Sequence, residues 1–242
     1  PHRGGRTVGA VGVPQQPNVF YIGVNNGGVW KTNDYGRTWK PIFDDQPTGS
    51  VGDVVVSPSN PNVIYVASGE GLQRPDLSVG DGIYKSADGG KTWKQTLYID
   101  DNTGVVDMDI NPKNPDELYA AAWYKTRRAW NFEEGGKTSG LYKSTDGGNN
   151  WKLITAAGSG FPSGDGLGRI GVAVFAANPN IVYATLDNQN HRPDTAVKKA
   201  DSNYVLNNFK DLTKESFLQL DDKKLDSFLL DNNFPEKYKA AS

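Results

Sequence analysis

Carboxylates recur in this sequence at a fixed place. Asp34, Asp88 and Asp146 each stand in the pattern Ser/Thr-x-Asp-x-Gly-x-x-Trp, spanning Thr32 to Trp39, Ser86 to Trp93 and Ser144 to Trp151. Two carboxylates held about 5–10 Å apart can hydrolyse a glycosidic bond, one as a protonated acid and the other as base or nucleophile. A reaction centre, however, needs one asymmetric constellation, and these are identical copies. The same motif is the chemistry of a hairpin turn: Asp bonds nearby backbone N–H groups, Gly takes positive φ without steric cost, and Trp opens the return strand by burying a ring. The aspartates therefore read as turn formers. Less symmetric chemistry sits in two longer segments, Glu70-Gly71-Leu72-Gln73-Arg74-Pro75-Asp76 and Trp123-Tyr124-Lys125-Thr126-Arg127-Arg128-Ala129-Trp130. Aromatic rings stack on sugars or apolar side chains, and guanidinium forks grip carboxylates. Glu70, Arg74, Asp76, Trp123, Arg127, Arg128 and Trp130 are thus the candidate ligand-binding residues. A second reading stays open, with both tryptophans packed between structural units and the arginines paired with Glu133 and Glu134. Glu70 and Asp81 are open as hydrolytic acids too, or as loop carboxylates making turns. No catalytic residue is assigned.

The elements that must position these residues follow from a repeat. An aromatic-Lys pair precedes each Asp motif, as Trp30-Lys31, Tyr84-Lys85 and Tyr142-Lys143. Upstream lies an Asn-Pro turn running into a tyrosine, at Pro14 to Tyr21, Pro58 to Tyr65, Pro112 to Tyr119 and Ala177 to Tyr183. Short β-rich runs flank it, such as Val51 to Val56 before and Val63 to Ala67 after. Each unit reads strand, Asn-Pro turn, strand, variable loop, strand, Asp-Gly turn, strand. Four antiparallel strands that cannot bury both faces alone make a propeller blade. The expected fold is all-β, a partial β-propeller of four-stranded blades, three with Asp turns and the start of a fourth, over residues 1–197. The two variable segments interrupt blades at the same place, after the second strand, so they emerge from one end of the propeller. An open array leaves strand edges unprotected, so either further blades or another copy of the chain is expected to complete the ring.

Residues 198–242 contain no glycine and balance eight basic against eight acidic residues. Thr213 is a candidate N-cap before Lys214, and Asp221 or Asp222 caps a segment in which Leu225, Phe228 and Leu229 fall at helical spacing. This helical tail reads as an insertion packed on the propeller or as a partner-binding arm.

Composition excludes other classes. Lys plus Arg is 26 against 28 for Asp plus Glu, a net charge of −2, which offers no basic field for nucleic acid. With no cysteine and only His2 and His191, thiolate chemistry and Cys- or His-rich metal sites are excluded. No D-x-D-x-D-G spacing supports calcium, and no metal or other cofactor is expected. No apolar run approaches the roughly 20 residues of a membrane span. A soluble chain is expected, with any export signal removed.

Gly27-Gly28-Val29-Trp30-Lys31, Phe43-Asp44-Asp45-Gln46-Pro47, Ser68-Gly69-Glu70-Gly71 and Gly80 to Ser86 resemble the opening blades of the Asp-box propeller proteins of the sortilin-like superfamily. The likeness to that group, especially its large, mostly bacterial exported members labelled glycosyl hydrolase, covers about residues 3–187, and the helical tail resembles an insertion seen in some of them. It implies a secreted, periplasmic or cell-surface setting and a glycan or peptide ligand. In related xyloglucan-active hydrolases a catalytic Asp stands just before the Gly-Gly of the first blade, where this chain has Asn25. An amide neither supplies nor accepts the proton at neutral pH, so that mechanism does not carry over. Sialidases share the turn but need a three-blade arginine cluster, and Arg127-Arg128 is one pair on one loop. The function expected is an extracytoplasmic propeller binding a glycan or peptide. The alternatives are a glycoside hydrolase with unassigned acids and an assembly module completed by another chain.

Overall fold

The structure is a computed structural model describing residues 5–73, 75–190, 204–235 and 237–240. The chain divides into two compact units, Pro1–Asn190 and His191–Ser242.

The first unit is built of antiparallel sheets in chain order. Blade one is β1 (Thr7–Val13), β2 (Gln16–Val24), β3 (Gly28–Thr32) and β4 (Lys40–Pro41). Blade two is β5 (Asp53–Val56), β6 (Ile64–Ser68), β7 (Gly82–Ser86) and β8 (Lys94–Leu97). Blade three is β9 (Thr103–Ile110), β10 (Leu118–Tyr124), β13 (Gly140–Ser144) and β14 (Lys152–Leu153), interrupted by a hairpin of β11 (Thr126–Arg128) and β12 (Asn131–Glu133). Blade four is described only as the pair β15 (Leu167–Val174) and β16 (Val182–Asn188).

The repeated turns form as their chemistry dictates. The Asp88 carboxylate accepts from the Thr92 N–H at 2.9 Å, the Thr92 hydroxyl at 2.7 Å and the Ser86 hydroxyl at 2.8 Å, while Ser86 Oγ accepts the Gly90 N–H. Asp34 and Asp146 repeat the arrangement with Thr38 and Asn150. These bonds favour the ionised form and hold all three carboxyls below their ordinary value, Asp34 to about 2. Two successive residues of each turn have positive φ, Gly89 at 75° and Gly90 at 88° in blade two; blade one places Tyr35 at 61° before Gly36.

Blades stack by the two-residue period of their strands. On β6, Ile64 and Val66 join Val54 of β5 in the core with blade one (Val19, Tyr21, Phe43), and Tyr65 and Ala67 join the core with blade three. On β10, Leu118, Ala120 and Ala122 face blade two while Tyr119 and Ala121 pack on Ile170 and Val172 of blade four. The first strands β1, β5, β9 and β15 lie next to one another around the axis. Carboxylates lace them: Asp53 accepts from the Met108 N–H at 3.3 Å, Asp107 from Val172 at 2.8 Å and Asp109 from Val174 at 2.7 Å.

The second unit is helical, with a 3₁₀ turn at Leu206–Phe209, α1 at Lys214–Phe217 and α2 at Asp222–Asp231. Thr213 caps α1 and Asp221 caps α2, its carboxylate accepting the Lys224 N–H at 3.0 Å. Phe209 joins the elements, 5.7 Å from Tyr204 and 4.6 Å from Phe228 between ring centroids. Among the described residues no helix is long and apolar enough to cross a membrane.

Candidate functional site

The two variable segments meet. The segment after β6 closes on itself through Glu70, which is fully buried and accepts the Ser78 N–H at 2.8 Å. Gln73 donates to Glu134 of the other segment, and the Asp76 carbonyl accepts from Asn26 at 3.4 Å. Arg74 lies outside the described residues. In the segment after β10, Trp123 is fully buried against Leu77 and Val106, with its indole N–H on the Glu134 carbonyl at 2.8 Å. Lys125 is also buried, its ammonium 4.7 Å from the Trp123 ring and 3.1 Å from the Val79 carbonyl. Burial pushes the Lys125 amine down to about 7, against the opposing charge of Glu70.

From this buried base rises the β11–β12 hairpin. Thr126 anchors it to Glu133 at 3.0 Å, Arg127 lies over Phe132 at 5.2 Å, and Arg127 and Arg128 are exposed. Trp130, at the tip, is 81% exposed. A ring so large and so open is an uncommon expense of apolar surface. The sequence-predicted residues thus separate into a buried set, Glu70 and Trp123, and an exposed set, Asp76, Arg127, Arg128 and Trp130.

A cavity of about 570 Å³ opens beside them at the axis, where the first strands meet. Leu72, Asp53, Asp107, Arg169 and Asp187 contribute to its wall. Arg169 connects it to the loops, donating to the Gly71 carbonyl and lying 5.8 Å from the Trp123 ring, which also meets Phe132 of the hairpin. Burial pushes the Asp53 carboxyl up to about 7, opposed by the Val54 N–H and reinforced by Asp107 and Asp109; Asp107 is raised as well, again chiefly by burial. Sequence reasoning missed Asp53, Asp107, Arg169 and Asp187. The available signal was a charged residue inside an otherwise apolar first strand, as in Gly52-Asp53-Val54-Val55 and Val106-Asp107-Met108. Asn25 is fully buried, and neither atom of its amide has a hydrogen-bond partner. No group of His, Cys, Asp and Glu fit to hold a metal occurs among the described residues.

Residues 27–234 match the Sortilin-Vps10 family model, described as sortilin, neurotensin receptor 3. The chain belongs to the Sortilin-Vps10 family. This family member is 27% identical over 189 residues to an oligoxyloglucan-reducing end-specific xyloglucanase of Emericella nidulans, an alignment covering 74% of the chain and 21% of that enzyme. A xyloglucanase of a Paenibacillus species is 23% identical over 175 residues, covering 61% of the chain and 16% of the enzyme. The chain spans about a fifth of the length of these curated relatives. Among solved structures, an ancestral GH74 enzyme superposes with a TM-score of 0.57 at 23% identity, over 76% of the chain and 22% of that structure, a likeness of fold.

Proposed function

We propose that this Sortilin-Vps10 chain is an extracytoplasmic propeller module that binds a glycan at the end of the axis where the variable loops emerge. The observation that carries the reading is the exposed Trp130, held with Arg127 and Arg128 on a hairpin adjoining the axial cavity through Trp123 and Arg169. Aromatic faces stack on sugar rings, and the cavity falls in the range of about 300–1,000 Å³ typical of small-ligand sites. The names of the relatives, xyloglucanases, make a xyloglucan oligosaccharide the first ligand to try. In this reading Trp130, Arg127, Arg128 and Asp76 face the ligand, while Glu70 and Trp123 support the loops from beneath. Peptide ligands belong in the same screen, since exposed aromatic and guanidinium groups also suit an extended acidic peptide.

The test is calorimetric titration with xyloglucan oligosaccharides. Trp130→Ala combined with Arg128→Ala should weaken binding about tenfold or more while leaving the thermal midpoint unchanged, because both side chains are exposed. Unchanged affinity would remove the assignment.

A second reading, glycoside hydrolysis, is favoured by one feature, the neighbouring Asp53 and Asp107 in the cavity wall with Asp53 held protonated up to about pH 7. A carboxylic acid kept neutral beside a second carboxyl is what general acid catalysis requires. Release of reducing ends from xyloglucan that disappears in Asp53→Asn would support it. No release across a polysaccharide panel would leave binding alone.

A further inference from the structure

Three basic groups meet two aromatic rings in one chain of contacts between the β11–β12 hairpin and the axial cavity. Arg127 pairs across the hairpin with Phe132 and lies over its ring, 5.2 Å from the centroid. Phe132 meets Trp123 edge to face, 6.3 Å between centroids. The Trp123 ring in turn carries the Lys125 ammonium at 4.7 Å and, from β15, the Arg169 guanidinium at 5.8 Å. A ring face attracts a cation without supplying it an anion.

The guanidinium groups at the two ends of this chain lack an anion. Arg127 and Arg169 are exposed, and neither forms an ion pair among the described residues. Arg169 gives an N–H to the Gly71 carbonyl, out of the five in its fork. Carboxylates stand near but are engaged elsewhere. Glu133 accepts from Thr126 at 3.0 Å and Asn131 at 3.4 Å within the hairpin, Glu134 accepts from Gln73, and Glu70 accepts the Ser78 N–H at 2.8 Å. In the cavity wall Asp53 and Asp107 accept backbone N–H groups of the adjoining first strands, and Asp187 accepts from Gln189 at 3.4 Å. An exposed arginine ordinarily waves in water at the end of a free side chain. These two are held by ring faces and, for Arg169, by the Gly71 carbonyl, so less side-chain freedom is lost when an anion arrives.

We infer that the glycan bound at the variable-loop end is anionic, with Arg127 and Arg169 receiving carboxylates of uronic acid units, or sulfate esters, on a chain whose sugar rings stack on Trp130. The inference rests on the glycan-binding reading above and narrows it, since a neutral xyloglucan oligosaccharide offers these forks hydroxyl oxygens but no charge. A hydrogen bond from guanidinium to an anion is roughly twice as strong as a neutral one, and the planar fork grips a carboxylate through two parallel N–H donors. Because Arg127 belongs to the hairpin and Arg169 to the cavity wall, acidic units along one chain engage both ends of the site.

The probes are two matched pairs, titrated calorimetrically into the intact protein. One is a galacturonic acid oligosaccharide against its fully methyl-esterified form, the other a sulfated carrageenan oligosaccharide against its desulfated form. At least one acidic probe should bind about tenfold or more tightly than its neutral counterpart, with the ratio shrinking as salt rises to about 0.5 M. The pair that shows the preference tells carboxylate from sulfate. Arg127→Gln, at an exposed position, should bring the ratio close to one without moving the thermal midpoint, and Arg169→Gln should lower the ratio as well. Binding of the probes with a ratio near one in both pairs would overturn the inference and leave glycan binding standing. A preference that survives in both variants would overturn it too. Failure of all four probes and of xyloglucan oligosaccharides to bind would strike the glycan-binding reading itself, and this inference with it.

Discussion

The second strands of blades three and four are close in sequence and far apart in environment. Leu118-Tyr119-Ala120-Ala121 and Val182-Tyr183-Ala184-Thr185 each follow an Asn-Pro turn and pair antiparallel with an axial strand. Six of the seven residues of β10 are buried, whereas five of the seven of β16 are exposed and none is buried. The difference lies in the neighbours. β10 has β13 on its outer edge and apolar partners on both faces, from blades two and four, whereas among the described residues β16 pairs with its inner neighbour alone. Burial in a propeller belongs to the stack, and a strand earns it only when the next strand and the next blade arrive.

That comparison can be broken at several points. The largest effect is expected from truncating the buried tyrosine: Tyr119→Ala should cost about 3–5 kcal/mol of stability by chemical denaturation, as core aromatic deletions do. An effect under ~1 kcal/mol would mean that the blade three–four seam contributes little. Next in size is Gly69→Ala at the two–three seam, where an added Cβ would come within 2.6 Å of the Val105 carbonyl. Backbone cannot yield there as a side chain can, and a loss of about 1–3 kcal/mol is expected in the same assay.

The axial carboxylates give a pH test of the same stack. Asp53 has a folded value of about 7 against an ordinary 3.8, so the folded state holds a proton the unfolded chain releases. Its contribution to stability is complete below about pH 4 and is lost as pH rises through about 7. Denaturation midpoints should fall across that window, and Asp53→Asn should flatten the slope. The turn aspartates act with the opposite sign: their depressed values give stabilisation present above about pH 4 and lost as pH falls through about 2. The smallest effect is the counterpart of the first, Tyr183→Ala, expected within ~0.5 kcal/mol of the parent because the ring is exposed.

Much of the architecture was legible because its signals are local. The Asp turns, the Asn-Pro turns, the alternating strands and the caps at Thr213 and Asp221 each reside in a few consecutive residues whose chemistry allows few conformations. The candidate site was only partly legible. Four residues past the repeated tyrosine stand Asn25, Gly69, Trp123 and Asp187, four different residues at one structural place. No periodicity distinguishes the buried Trp123 from the exposed Trp130 seven residues later, since what buries Trp123 is Leu77 and Val106 from other parts of the chain. The axial cavity was invisible for the same reason. Asp53, Asp107 and Arg169 sit on three strands that become neighbours only when the blades close around the axis.

The measurement that bears most directly on the contrast between the sealed and the open blade is residue-resolved amide hydrogen exchange on the intact chain. Amides of β6 and β10 should exchange only with global unfolding, whereas every second amide of β16, facing the unpaired edge, should exchange orders of magnitude faster. Uniform protection of Val182–Asn188 at the level of Leu118–Tyr124 would contradict the account, because β16 would then already have its third strand.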